Sequence, residues 1–258
     1  MSAQRAKLGW PERGSAERFA IGGRRPVLEA LRSGRADRVM AARGSRETEG
    51  LRALLEEAAR AGIPTEWVEA RTIDALGIDH DQGVAAFVTP LPALDERRLA
   101  SMSFPSDSLV VVLDGVTDPQ NFGACARSAE AAGAPLLIVR RKRAAPLTAA
   151  AVNASAGALL HLPVARVANL TRALESLKDR RFTVVGLDHR ATLGIHEAPP
   201  PERPLALVVG SEDVGLSRLV SESCDLLVSI QMPGRTGSLN ASAALAVGLF
   251  GYALRPRG

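Results

Sequence analysis

The second half of this 258-residue chain alternates short, continuous apolar runs with helical patterns, and this alternation constrains the fold most. Strands that are apolar on both faces and alternate with helices predict a parallel sheet covered by helices on both sides. The predicted fold class is therefore α/β. The apolar runs are 109–113, 135–139, 182–187, 205–209 and 226–230, and the helical patterns between them are 124–132, 170–179 and 218–222.

A last helical pattern, residues 239–254, is apolar nearly all round and rich in Ala and Gly. A helix of this kind must be buried. It is expected to pack against its own sheet or against a second subunit, since a helix at the end of a chain has fewer neighbours to cover it.

The first third of the chain predicts a smaller α/β unit over residues 19–90. Val27, Leu28 and Leu31 recur at helical spacing. Pro11 and Gly14 break residues 1–18, which are expected to be a flexible lead. Prolines bracket a charged stretch at 91–105, which is expected to be an interdomain linker. The second domain then comprises 106–258. The other elements expected in the small unit are strands at 38–41, 65–68 and 84–88 and a helix at 49–61.

The charge of the chain is unevenly distributed. Residues 1–46 carry a net charge of +7 and residues 47–100 a net charge of −6, within a total of +4. A basic opening segment suits a polyphosphate backbone, or it is a tail that only keeps the protein in solution.

Several features predict a cytoplasmic protein without a membrane span. No apolar run reaches the roughly 20 residues that cross a bilayer, and the opening 20 residues contain no secretory pattern. Cys125 and Cys224 are far apart and form no CxxC pair, so they are expected to be core thiols in a reducing compartment. With four scattered His residues, no metal site is expected.

Three glycine-containing loops follow the carboxyl ends of predicted strands, where open α/β sheets bind ligands. The usual nucleotide loops are absent: GxGxxG does not occur, and Leu216-Ser217 stands where a phosphate loop requires Lys-Ser/Thr. Gly-x-Ser-x-Gly is also absent, which disfavours a hydrolase. The loops are residues 114–123, 210–217 and 232–240.

The polar residues of these loops also have purely structural interpretations. Arg127 and Glu130, at i,i+3 on a helix, could form a surface ion pair worth about 0.3–0.5 kcal/mol. Asn121 and Ser238 could cap helices, and Glu212 could cap the turn after its strand. Considered singly, each of these residues is explained by structure alone.

Taken together, three segments resemble the signature motifs of the SpoU (TrmH-type) RNA 2′-O-ribose methyltransferases of the SPOUT superfamily. They occur in the family's order and spacing and read NFGACARSAEAAGA, LVVGSEDVGLS and SIQMPGRTGSLNASAALAV. The opening IGGRRPVLEALRSG and the segment DQGVAAFV resemble the small, ribosomal-protein-like RNA-binding domain of the ribosomal-RNA members. The closest likeness is to bacterial enzymes that methylate a guanosine of 23S ribosomal RNA.

The resemblance implies a C-terminal trefoil knot, which is a rare exception to ordinary chain topology. It also implies S-adenosylmethionine as the cofactor, RNA as the partner, and a homodimer formed through the C-terminal domain. By motif, the cofactor-binding residues are expected to be Gly210, Gly215, Ile230, Met232 and Leu239.

The family's functional residues correspond to Asn121, Arg127, Glu212, Ser238 and Asn240. The resemblance implies that Arg127 binds the ribose and its flanking phosphate. Because a free guanidinium titrates above about 12, a phosphate-assisted proton transfer, with Arg127 stabilising the alkoxide, is an alternative to Arg127 as the base. Asn121 and Asn240 are expected to orient Arg127 and the substrate. Glu212 is expected to fix the cofactor loop, and Ser238 to bridge that loop and the substrate.

One position departs from the family pattern, and several substrates stay open. The third motif usually begins Ile-Pro-Met, whereas this chain has Ile230-Gln231-Met232 with proline displaced to Pro233. Transfer RNA and an adenosine of the large ribosomal RNA, as in antibiotic-resistance enzymes, are alternative substrates. A catalytically silent RNA-binding assembly factor is the alternative of another class.

Overall fold

Two separate β-sheets organise the chain, one on each side of Pro90. The structure is a computed structural model, and it describes residues 18–90, 93–235 and 237–255. The expected flexible lead, 1–18, lies outside the described residues except for Arg18, which forms an ion pair with Asp37 at 3.0 Å. In the described residues, no helix is long and apolar enough to span a membrane.

The first unit is a four-stranded sheet with helices, in the strand order β1-β4-β2-β3. Strands β2 and β3 are parallel, and β4 runs antiparallel to both of its neighbours. Thr48 caps α2 because its hydroxyl accepts from the amide of Leu51. The elements are β1 (Phe19–Gly22), α1 (Arg24–Arg32), β2 (Ala36–Ala42), α2 (Glu49–Arg60), β3 (Thr65–Val68), α3 (Ala70–Asp74) and β4 (Val84–Val88).

The second unit is built on a six-stranded sheet in the order β10-β8-β9-β5-β6-β7, and every neighbouring pair is parallel. The predicted α/β class with a parallel sheet is confirmed. The central strands β5 and β9 are buried along their whole length, as their continuous apolar runs predict. The strands are β5 (Leu109–Asp114), β6 (Leu136–Arg140), β7 (Val164–Val167), β8 (Thr183–Leu187), β9 (Leu205–Gly210) and β10 (Leu226–Val228).

Helices follow the strands of this sheet. Helix α5 begins after Asp118, whose carboxylate accepts from the amide of Asn121 at 2.8 Å. Helix α6 and strand β7 have no counterpart among the sequence-based expectations. The helices are α4 (Glu96–Ser101), α5 (Pro119–Ala131), α6 (Ala149–Ala154), α7 (Leu170–Lys178), α8 (Arg218–Glu222) and α9 (Ala241–Gly248).

The segment expected to be an interdomain linker, 91–105, forms regular structure in its described part instead. Leu94 pairs in parallel with Ala165 of β7, and residues 96–101 form helix α4. Leu99 is buried in the core of the second unit, and Phe104 stacks edge-on against Phe182 with ring centroids 5.3 Å apart. The apolar residues spaced among the charges cover β7 and its neighbours, so this segment is part of the second unit.

The last helix is buried on only one side by its own chain. Helix α9 continues as a π-helix over Leu249–Ala253, and Leu245, Leu249 and Tyr252 are fully buried. Val247, Phe250 and Leu254 remain 37%, 54% and 41% exposed, respectively. Its own sheet therefore buries one side of this helix, and the expected alternative, burial of the other side against a second subunit, stays a prediction. The knot implied by the resemblance stays a prediction.

Candidate active site

A pocket lies at the carboxyl ends of β10, β8 and β9, and its empty space is about 500 Å³ including the part that is open to solvent. This is the edge at which parallel α/β sheets bind ligands. All five residues expected to bind the cofactor line it, and Glu212 and Ser238 line it as well. The structure therefore brings together residues from the second and third predicted loops. The five are Gly210, Gly215, Ile230, Met232 and Leu239.

The loop after β9 folds tightly back on its own strand. A Cβ added at Gly210 would lie 2.0 Å from the carbonyl carbon of Gly215 and 2.4 Å from the amide nitrogen of Leu216. Gly215 has φ +70° and donates its N–H to the carbonyl of Ser211 at 2.9 Å. Only glycine permits this approach, and the approach exposes main-chain groups to the pocket.

Asn240 joins the three predicted loops at one point. Its amide nitrogen Nδ2 donates to Oδ1 of Asn121 at 2.8 Å and to Oε2 of Glu212 at 3.1 Å. Its oxygen Oδ1 accepts from the amide nitrogen of Ser242 at 2.9 Å and from the Ser242 hydroxyl at 2.7 Å. One side chain thus caps α9 and fixes both the start of α5 and the loop after β9.

The purely structural interpretations fare differently at each position. Asp118 caps α5 and Asn240 caps α9, so neither Asn121 nor Ser238 is the cap of its helix. Arg127 lies on α5, is exposed, and forms no ion pair with Glu130 among the described residues. With i,i+6 spacing, it lies about 9 Å along the helix axis from Asn121. Arg127 therefore stands apart from the Asn240 cluster and is free to meet a ligand.

The end of β8 contributes a wall of the pocket that sequence reasoning missed. Asp188 and His189 line it, and the buried carboxylate of Asp188 accepts from Nε and Nη2 of Arg190 at 2.9 and 2.7 Å. These hydrogen bonds to Arg190 lower the pKa of Asp188, against the opposing effect of burial. A signal was present, because the polar triplet Asp-His-Arg directly follows the apolar run that ends at Leu187.

A second buried carboxylate, Asp114 at the end of β5, links three segments behind the loops. Its side chain is 4% exposed and accepts from the guanidinium of Arg140, with the closest contact to Nη2 at 3.0 Å. It also accepts from the amide of Ser217 at 2.8 Å, and Arg140 donates to the Ser217 hydroxyl at 3.1 Å. Asp114 thereby holds the far end of the loop that follows β9.

The residues that line the pocket suit the chemistry of S-adenosylmethionine. Ile230, Met232, Leu239 and Ala244 supply apolar walls suited to a purine ring, whereas main-chain groups near Gly210 supply donors and acceptors. The side chain of Gln231, which replaces the usual proline, packs against Gly194 instead of entering the pocket. In the described part of the chain, no three His, Cys, Asp or Glu side chains are arranged to hold a metal ion.

Both cysteines are free thiols. Burial raises the pKa of Cys125 to about 12 and is also the main cause that raises the pKa of Cys224 to about 12. Thiols of this kind are unreactive parts of the core.

Comparison with family models decides where the chain belongs. Residues 108–250 match the SpoU rRNA methylase family, and residues 20–94 match the RNA 2′-O ribose methyltransferase substrate-binding domain. The chain belongs to the SpoU rRNA methylase family. It is therefore an RNA 2′-O-ribose methyltransferase that uses S-adenosylmethionine.

Individual relatives agree with this membership. A protein of Mycobacterium ulcerans described as a tRNA/rRNA methyltransferase is 41% identical over 95% of this chain and 81% of its own length. The 23S rRNA (guanosine-2′-O-)-methyltransferase RlmB of Photobacterium profundum is 40% identical over 80% of this chain and 84% of its own. The crystal structure of the SpoU methyltransferase AviRb from Streptomyces viridochromogenes with AdoMet is 28% identical, with a TM-score of 0.73 over 96% and 95% of the two chains.

Proposed function

We propose that the chain transfers a methyl group from S-adenosylmethionine to the ribose 2′-hydroxyl of a guanosine in 23S ribosomal RNA. The observation that carries this proposal is the Asn240 side chain, which ties Asn121 of the first motif to Glu212 of the second beside the pocket. Three motifs that are remote in sequence thus meet where cofactor and ribose must meet.

The pocket residues hold the cofactor. Gly210 and Gly215 present main-chain groups, and Ile230, Met232 and Leu239 form apolar walls. When bound, S-adenosylmethionine supplies a methyl group that is already activated on a sulfonium. Glu212 fixes the loop after β9 through its hydrogen bond with Asn240. Arg190 pairs with the carboxylate of Asp188, so the carboxylate of Glu212 is the negative group of the pocket lining that suits a sulfonium cation.

The remaining motif residues position the RNA. Arg127 is exposed, and its planar set of donors suits the ribose oxygen and its flanking phosphate. Ser238 lines the pocket and bridges the cofactor loop and the substrate. These residues hold the 2′-hydroxyl at attacking distance. The proton of the 2′-hydroxyl leaves to an oxygen of the flanking phosphate while Arg127 stabilises the alkoxide. Asn121 and Asn240 fix the start of α5, the helix that carries Arg127, and so keep Arg127 aligned with the ribose.

Ribosomal RNA is favoured over transfer RNA by the domain organisation. The substrate-binding domain at 20–94 accompanies the methyltransferase domain, and a relative that covers both is named for 23S ribosomal RNA. We place the reaction in the cytoplasm, where ribosomal RNA is made and assembled.

We further propose a homodimer formed through the C-terminal domain. Val247, Phe250 and Leu254 lie close together in sequence on the final helical segment, and all three stay exposed although they are apolar. Exposed large apolar side chains that lie together mark an interface. A second copy of the same helix has the matching chemistry.

The experiment that tests this function is tritiated methyl transfer from S-adenosylmethionine to purified large-subunit, small-subunit and transfer RNA. We expect label in the large ribosomal RNA, at one ribose that becomes resistant to alkaline cleavage. We expect Arg127→Ala to abolish transfer while the cofactor affinity stays within a few-fold. Label in transfer RNA would overturn the substrate, and an active Arg127→Ala variant would overturn the role of that residue. RNA binding without any transfer would indicate an assembly factor.

A further inference from the structure

A run of four basic residues, here named the basic loop (residues 140–143), begins with the last residue of β6 and continues beyond it. No Asp or Glu occurs between Glu130 and Glu175, although that stretch contains six Arg and Lys residues. Arg141, Lys142 and Arg143 are exposed, and none of them forms an ion pair with any residue that the structure describes. Three uncompensated positive charges therefore project from one short loop.

The basic loop lies at the same sheet edge as the pocket. Strand β6 is the neighbour of β5, and β5 is the neighbour of β9, with all three parallel. Neighbouring strands are about 4.8 Å apart, so the end of β6 lies about 10 Å along this edge from the end of β9. When one ribose of an RNA strand enters the pocket, the neighbouring phosphates of that strand lie close enough to contact a loop about 10 Å away.

The chain holds the basic loop firmly against the first motif. The amide of Arg141 donates to the carbonyl of Val167 at 2.7 Å, and the amide of Ala145 donates to the carbonyl of Val116 at 3.0 Å. Arg166 donates from Nη2 to the carbonyl of Ala145 at 2.6 Å. Val116 belongs to the loop that leads into α5, so the basic charges have a fixed position relative to α5, the helix that carries Arg127.

A polar groove adjoins the basic loop. It is lined by Arg140, Asn169, Thr171, Ser217 and Arg218. The guanidinium of Arg140 is 34% exposed and is locked by its contacts with Asp114 and Ser217. Guanidinium, amide and hydroxyl groups are the donors that proteins use on phosphate oxygens.

We propose that the basic loop and this groove bind the backbone phosphates of the RNA strand that flank the ribose being methylated. The inference rests on the proposed function, because it extends the substrate site by one or two nucleotides. Except for Ser217, the last residue of the second motif, none of these residues belongs to the three motifs. The loop contributes affinity and register for the RNA, and it takes no part in binding the cofactor.

The test is a pair of charge-matched double variants of the full chain. Arg141→Gln/Lys142→Gln removes two charges from the basic loop. The control, Lys178→Gln/Arg181→Gln, also removes two charges, of which that of Lys178 is paired with Asp225 at 2.6 Å, near the amino end of β8 at the opposite edge of the same sheet. Binding of in vitro transcribed 23S ribosomal RNA is measured by filter retention between about 50 and 200 mM KCl, since phosphate contacts release counterions.

We expect the loop variant to flatten the slope of log affinity against log salt by about 1.4, from two lost contacts at about 0.7 each. We expect its KM for RNA to rise while kcat and cofactor affinity stay within about twofold of wild type. The control should keep the wild-type slope. Equal slopes for the wild type and the loop variant, or equal flattening in both variants, would overturn the proposal. A wild-type protein that transfers no methyl group would instead refute the proposed function.

Discussion

Substitution of Gly210 by alanine tests whether the tight return of the loop after β9 creates the cofactor site. The new Cβ would lie 2.0 Å from the carbonyl carbon and 2.1 Å from the carbonyl oxygen of Gly215. Ordinary contacts of a Cβ begin near 3.4 Å. The obstructing atoms are backbone, so no side-chain rotation relieves the clash, and the loop must move by about 1.4 Å.

The expected magnitude follows from that displacement. Overpacking of a rigid site costs about 1–3 kcal/mol of stability, which corresponds to a fall in Tm of about 2–12 °C for a chain of this size. A misplacement of about 1 Å at a site of this kind costs about 100-fold in activity. We therefore expect Gly210→Ala to lower methyl transfer about 100-fold and to weaken S-adenosylmethionine binding measurably, while the protein stays folded at 25 °C.

The assay is isothermal titration of the cofactor, with Tm measured on the same samples. Gly50→Ala is the matched control, because its Cβ would meet only the Cδ of Arg24 at 3.8 Å and its φ is ordinary. The control should bind the cofactor like the wild type and melt at the same or a slightly higher temperature. If Gly210→Ala also bound the cofactor with wild-type affinity, the argument from the close approach would be refuted.

Three further perturbations test the other contacts. Asn240→Asp keeps the cap on Ser242 but loses both side-chain donations and places a second carboxylate beside that of Glu212. We therefore expect kcat/KM to fall at least tenfold and Tm to fall by about 2–4 °C. Arg190 holds the pKa of Asp188 below its ordinary value of 3.8. Their ion pair therefore stabilises the folded protein above pH 3.8, and this stabilisation is lost as the pH falls below that value. Urea midpoints of wild type and Arg190→Gln should therefore differ at pH 7 and converge towards pH 3. Phe250→Glu should shift the protein from dimer to monomer in sedimentation, and an unchanged dimer would place the interface elsewhere.

The parts of the fold that could be predicted from the sequence are those specified by local patterns. A continuous apolar run such as Leu109–Asp114 has few outcomes besides a strand buried on both faces. Glycine-containing loops at the ends of such strands then locate the ligand edge. For this reason the strands β5, β8 and β9 and the ligand edge were predictable from local patterns, whereas the five pocket residues were predicted only through the resemblance to the SpoU family.

The parts that could not be predicted depend on packing between remote segments. Helix α4 is short and charged, and only its contact with β7 distinguishes Leu99 from a residue of a solvated linker. Strand β7 contains Arg166, and this charged residue interrupts the apolar pattern by which a strand is recognised. It is accommodated there because its guanidinium donates to the carbonyl of Ala145. The sequence left open which partner covers the last helical segment, because apolarity specifies burial but does not specify the partner.

The loop after β9 is held at both ends by residues that are remote from it in sequence. Asn240 holds this loop at Glu212 and is 119 residues from Asn121, its other partner. Asp114 holds the loop at Ser217, which is 103 residues away. Between these two points, Gly215 can lie against Gly210 only while both ends stay fixed. No local pattern encodes such a loop, since the Asn240 anchor exists only after the three motifs have come together and the Asp114 anchor only after β5 and β9 have paired. The same dependence means that a pocket able to bind the cofactor is complete only when α9 is in place, so loss of the Asn240 contacts should impair the cofactor and ribose sites together.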